Sequence, residues 1–266
     1  MTSISEDNIT KIIDICNKTP YKLRKELKYT HYKIEPEFKL LDNIIIQYQV
    51  IRKKLNPKSN IPLYVTVGLS YNSFCNNLTI LNNNIDKIKD KYSEIIFFVS
   101  NMKDQYKDFI NIMKTNDKFE KYYSDEDKTY AITDVMKEIV ATHYDKIIRK
   151  MNKDLNYDEI DVLGVSFGGG VFVSLAELNS IKIKNLILMA PGIGIFKGFE
   201  DVSLYQNIIL GWCIQDNKVS YKKIGTKLIK ELHRFHNKIV VLTDLVGEDN
   251  EDITHRLQDG IFDVII

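Results

Sequence analysis

A serine bracketed by glycines, Gly164-Val165-Ser166-Phe167-Gly168, sits between two apolar stretches. The run from Ile160 to Leu163 reads as a buried strand, and the apolar segment after Gly168 reads as a helix. G-x-S-x-G at a strand-to-helix turn holds the serine on a tight bend, with its hydroxyl pointing out of the sheet. Both flanks must be small, because a Cβ at Gly164 or Gly168 would crowd the bend. Gly169 and Gly170 extend the run and let the helix start lie close to the sheet. Such a hydroxyl suits attack on an acyl carbon, provided a base at hydrogen-bond distance takes its proton. A glycine-rich turn at a helix N-terminus can instead bind phosphate. The chain has no G-K-[S/T], and no G-x-G-x-x-G with a matching acid.

The elements around this turn alternate between strand and helix patterns. Ile44 to Val50 suggests a strand near the sheet edge, and a turn cluster follows at Asn56 to Asn60. Leu63 to Val67 reads as a central strand ending at Gly68. Residues 77–92 carry Leu78, Leu81, Ile85 and Ile88 at a helical period, and Ile95 to Val99 is an apolar strand. Residues 100–132 are polar and read as excursions over the carboxyl end of the sheet. Thr133 or Asp134 can cap a long helix reaching about Asn152, with Met136, Val140, His143 and Ile147 on one face. Later strands are expected at Lys184 to Ala190, Ile208 to Ile214 and Lys238 to Leu242. Helices are expected over 221–236 and 255–266, while residues 1–35 read as a surface helix with loops. This alternation predicts an α/β protein with a mostly parallel sheet, helices on both faces, and a site at the carboxyl ends of the strands.

Composition narrows the partners. The 266 residues carry 37 Lys and Arg against 36 Asp and Glu, a net charge of +1. That balance gives no electrostatic case for nucleic acid or an anionic membrane. Cys16, Cys75 and Cys213 are far apart, lack metal-ligand spacing and are odd in number, so a reducing compartment is the simpler reading. The polar start, MTSISEDNIT, is unlike a signal peptide, and no apolar run is long enough to span a bilayer. A cytoplasmic protein with no integral membrane segment is expected. With no internal repeat and no linker, residues 1–266 are read as one domain, with 1–40 a divergent extension packed on it.

From about residue 40 onward the chain resembles the α/β-hydrolases, whose nucleophile elbow has the G-x-S-x-G pattern. The resemblance implies a three-layer fold with a small cap or none, and a catalytic triad in chain order serine, acid, histidine. Ser166 takes the first place. Asp216, in Cys213-Ile214-Gln215-Asp216-Asn217-Lys218-Val219, takes the second, its D-x-x-V ending being similar to the family's acid loop. His255, after the last strand, takes the third. The implied oxyanion donors are the backbone amides of Phe167 and, after the strand ending at Val67, of Leu69, with Ser70 a neighbour. The chain departs from the pattern at Val67-Gly68, where many members have His-Gly. It departs again at Cys213 and Thr254, where many have glycine.

The activity so implied is hydrolysis of a carboxylic ester or thioester through an acyl-enzyme on Ser166, with a small-molecule acyl substrate and no metal or organic cofactor. The alternative is a catalytically inactive hydrolase-like binding protein, since fold does not dictate function. Other acids compete for the triad place: Glu200 and Asp201 follow the preceding strand, whereas Asp244, Glu248 and Asp249 read as a solvated acidic loop. Asp216 and His255 can each be explained as helix caps instead. His143 reads as a packing residue on an apolar helix stripe, and His233 and His236 as cations at a helix end. His31, among tyrosines, has no assigned role, and the basic run Lys146 to Lys150 reads as a solvated face. The short stretch from Gly192 to Phe199 reads as a small apolar lid, implying an open site with some apolar lining.

Overall fold

The computed structural model describes residues 30–32, 34, 38–56, 58–99, 102–115, 125–193, 207–216, 218–235, 239–242 and 255–265. In chain order the elements are β1 (Thr30–Tyr32), β2 (Phe38–Leu41), β3 (Ile44–Ile46), β4 (Gln49–Lys54), β5 (Leu63–Thr66), α1 (Tyr71–Asn83), α2 (Ile85–Ile88) and β6 (Glu94–Val99). They continue with α3 (Lys103–Lys114), α4 (Asp125–Leu155), β7 (Ile160–Val165), α5 (Phe167–Glu177), β8 (Ile183–Met189) and β9 (Asn207–Gly211). A π-helical turn (Tyr221–Gly225), α6 (Thr226–Phe235), β10 (Ile239–Leu242) and α7 (Ile261–Val264) complete the order.

Eight strands form one sheet in the order β1-β4-β6-β5-β7-β8-β9-β10, and β2 with β3 forms a separate hairpin. The β1–β4 and β4–β6 pairs are antiparallel, and every pair from β6 to β10 is parallel. β5, β6 and β7 are buried at every position, as expected for strands covered on both faces. The period of two splits their side chains between two cores. Tyr64, Ile96, Phe98 and Val162 pack with α3, α4, α5 and α6; Leu63, Val65, Ile95, Phe97 and Leu163 pack with α1, α2 and α7. The result is the expected three-layer α/β architecture. Asp161, fully buried in β7, accepts hydrogen bonds from Tyr92 Oη (2.8 Å) and from the Asn185 side chain (2.7 and 2.8 Å). Burial pushes its pKa up against those hydrogen bonds, which pull it down. No helix among the described residues is long and apolar enough to cross a membrane.

Several expected boundaries shift. Residues 30–32, expected in a surface helix or loop, add an edge strand to the sheet, while 1–29 lie outside the described residues. The strand expected over 44–50 is two elements, β3 in the hairpin and β4 one place inside the sheet edge. The long helix starts eight residues before Thr133. Ile132 carries its buried face upstream, and Thr133 donates its hydroxyl to Thr129 O within the helix (2.7 Å) instead of capping it. Asp134 is inside the helix as well, paired with Lys137 at 2.8 Å. β9 ends at Gly211 and not Ile214, and the closing helix is only the single turn α7. The lid stretch from 194 onward lies outside the described residues.

Candidate active site

β7 enters Ser166 and α5 leaves it, so the serine stands at the carboxyl end of a strand with three strands or more on either side. Its backbone has φ 56° and ψ −124°, a conformation that costs about 1–3 kcal/mol for a residue with a Cβ. The surroundings over-determine it. Ser166 N donates to Met189 O (3.0 Å), and Ser166 O accepts from the amides of Gly169 (3.0 Å), Gly170 (3.3 Å) and Gly192 (2.7 Å). The flanking glycines are obligatory: a Cβ on Gly164 would lie 2.6 Å from Gly169 Cα, and one on Gly168 would lie 2.7 Å from Thr66 C.

The structure brings Ser166, His255 and Asp216 together. His255 Nε2 is 2.7 Å from Ser166 Oγ, and His255 Nδ1 is 2.7 Å from Asp216 Oδ2. A carboxylate can only accept, so Nδ1 carries the proton and donates it. In the neutral ring Nε2 is then left to accept from the Ser166 hydroxyl, the tautomer a general base requires. The Asp216 side chain is fully buried. Its other oxygen, Oδ1, accepts from the amides of Lys218 (2.9 Å) and Val219 (3.0 Å), so both oxygens are aimed. Trp212 closes this loop from below, its Nε1 donating to Val219 O at 2.9 Å.

His255 lies in a turn before α7, and its position is fixed one step further along. Leu257 is buried in the core under α1, and its amide donates to Asn77 Oδ1 at 2.6 Å. Asn77 is itself fully buried and is tied to α1 by Nδ2 donating to Ser73 O (2.6 Å). The sequence reading missed Asn77. Asn77 lies on the buried face of α1 with Phe74, Leu78 and Leu81, where a polar residue signals a need for a partner but not that the partner is 180 residues away.

Phe167 is the first residue of α5, so no helical carbonyl accepts its amide. Leu69 follows β5, and its carbonyl accepts from Met102 N at 2.9 Å, which joins this loop to the start of α3. Gly68, Leu69, Ser70, Ser166 and His255 line one cavity of about 620 Å³. Its described wall is of mixed polarity. Leu69, Cys75 and Tyr106 stand there beside polar and charged side chains, and α3, from a segment with no assigned element, supplies Lys103, Tyr106 and Lys107. Tyr106 packs edge-on against Phe167 with centroids 6.4 Å apart.

The remaining candidates lie elsewhere or outside the described residues. Glu200, Asp201, Asp244, Glu248, Asp249 and Thr254 fall outside. His143 is buried in α4, with Nδ1 2.8 Å from Tyr48 Oη, and burial lowers its pKa from 6.5 to about 4. It is the packing histidine expected.

No family model matches the sequence, and a search of curated proteins gives no match. Solved structures do match. The naproxen esterase (carboxylesterase NP) of Bacillus subtilis superposes with a TM-score of 0.52 at 10% identity, over 99% of this chain and 98% of its own. A carboxylesterase of Mesorhizobium loti gives 0.51 at 12% identity, over 87% and 97%. YahD, solved with malic acid, gives 0.51 at 12%, over 82% and 96%. The strand order, the helices on both faces and these matches together show that the chain has the α/β-hydrolase fold.

Proposed function

We propose that the chain is a serine hydrolase cleaving carboxylic esters or thioesters through an acyl-enzyme. The observation that carries this reading is the unbroken relay from Asp216 Oδ2 to His255 Nδ1 and from His255 Nε2 to Ser166 Oγ, both links 2.7 Å. Ser166 Oγ attacks the carbonyl carbon as its proton passes to His255 Nε2. Asp216 holds the ring in register and stabilises the imidazolium. The carbonyl oxygen becomes an oxyanion, received by the amides of Phe167 and Leu69. Collapse breaks the bond to the alcohol or thiol, which leaves with the proton from His255. Water then attacks the acyl-serine with His255 again as base, releasing the acid and restoring Ser166.

The structural matches to esterases support the fold this chemistry uses. The strained Ser166 backbone supports it independently, since such strain is kept where a side chain must be displayed. The test is labelling with a fluorophosphonate. The intact chain should be labelled and Ser166→Ala should not. A chain that resists labelling while folded is a binding protein on a hydrolase scaffold, and the reading fails.

A further inference from the structure

The chain is nearly neutral overall, yet the wall of the Ser166 cavity is not. Lys103, Lys107, Lys218 and Arg256 line it, and no aspartate or glutamate stands among its described lining residues. Lys103 and Lys107 are one helical turn apart on α3, on the face that also presents Tyr106, so like charges are held side by side. The ion pair of Lys107 with Asp104 is long, 3.9 Å, and exposed, so it offsets little of that repulsion. Arg256 is adjacent in the chain to His255. Its Nε is buried and has no hydrogen-bond partner among the described residues. A buried guanidinium N–H without an acceptor is costly, so a ligand that brings an acceptor to it is favoured. A planar guanidinium in a cavity that lysines also line matches a carboxylate or a phosphate.

We propose that the substrate is an acyl ester or thioester that also carries an anionic group, a carboxylate or a phosphate, bound by Arg256 with Lys103 and Lys107. This rests on Ser166 being the nucleophile. Arg256, His255 and Ser166 all line the one cavity, so one substrate can meet them together.

The experiment compares kcat/KM for three esters of matched length: 4-nitrophenyl hexanoate, the 4-nitrophenyl monoester of adipic acid, and 4-nitrophenyl 5-phosphonopentanoate. The intact chain should favour one of the anionic esters over the neutral one by at least about tenfold at low salt. That ratio should shrink as sodium chloride rises to about 0.5 M, where the Debye length falls well below the size of the cavity. Arg256→Gln should reduce it about tenfold, and the double variant Lys103→Gln/Lys107→Gln severalfold. Because the ratio is taken within each variant, a shared disturbance of His255 cancels. Preference for adipate over phosphonate assigns a carboxylate, and the reverse assigns a phosphate. A ratio near one in the intact chain overturns the proposal, as does a ratio unmoved in both variants. If no ester is turned over, the nucleophile reading has failed, and calorimetric titration of Ser166→Ala with adipate and with inorganic phosphate decides the anion site. Binding weakened at least about tenfold by added Arg256→Gln supports it; no binding of either anion overturns it.

Discussion

Asp216→Asn separates a relay from a coincidence of distances. In the native chain Oδ1 accepts from the amides of Lys218 and Val219, while Oδ2 accepts from His255 Nδ1. An asparagine keeps only one of these arrangements. With its oxygen on the two backbone amides, its NH₂ faces Nδ1, which must then become an acceptor. The proton moves to Nε2, pointing at Ser166 Oγ, and the base is disabled. Turning the amide over restores the working tautomer but leaves the Lys218 and Val219 amides facing an NH₂, at about 1–3 kcal/mol for the buried Val219 amide alone. A penalty of about 2 kcal/mol holds the working orientation at about 3% of molecules, and that fraction also lacks the charge that stabilises the imidazolium. The expected loss in kcat/KM is therefore between about 10² and 10⁴, or about 2.7 to 5.4 kcal/mol of transition-state stabilisation. The assay is 4-nitrophenyl ester hydrolysis near pH 8, with the fluorophosphonate labelling rate falling in parallel. The backbone contacts survive in the major orientation, so the melting temperature should change little. A loss under tenfold in a folded variant refutes the assignment of Asp216, and Asp201→Asn then tests the rival acid.

Gly164→Ala places a Cβ 2.6 Å from backbone Gly169 Cα, and should cost at least about 2 kcal/mol, read as a fall in melting temperature of about 4–8 °C. Asn77→Ala removes the acceptor that fixes Leu257 N, so kcat should fall about tenfold with the oxyanion donors untouched; an unchanged kcat would show that Leu257 burial alone positions His255. His143 is held neutral in the fold, with a pKa lowered from 6.5 to about 4, chiefly by burial and then by Lys146. Protonation thus favours the unfolded chain: stability is fully present above about pH 6.5 and declines as pH falls towards 4. In His143→Gln the denaturation midpoint should lose that part of its slope over the same window.

The parts of this molecule that its sequence exposes are those dictated by local backbone physics. Ser166 was legible because a bend with φ 56° between a buried strand and a buried helix admits few residue types, and the glycines at 164, 168, 169 and 170 record it. The parallel strands were legible because burial on both faces makes them apolar without interruption, as in Glu94–Val99 after its first residue. What failed to show was set by partners distant in the chain. β1 is three residues long and owes its existence to pairing with β4. The upstream start of α4 rests on Ile132 meeting the core, not on a cap that composition displays.

The same distinction explains why the relay could be anticipated and the cavity wall could not. Asp216 and His255 follow strand ends, and parallel strands deliver their carboxyl ends to one side of the sheet, so chain order alone constrains where those residues meet. Lys103 and Lys107 reach the cavity only because α3 presents one particular face, a rotation decided by Phe109 and Ile110 burying themselves in the core. A lysine on a polar helix looks the same whether it faces solvent or a reacting carbonyl. Reaction type is therefore written in the turns, which few sequences can make, while substrate choice is written in helix orientation, which many sequences can satisfy. Should the esters show no preference for an anionic group, the cationic wall is a solvated helix face, and the relay stands without it.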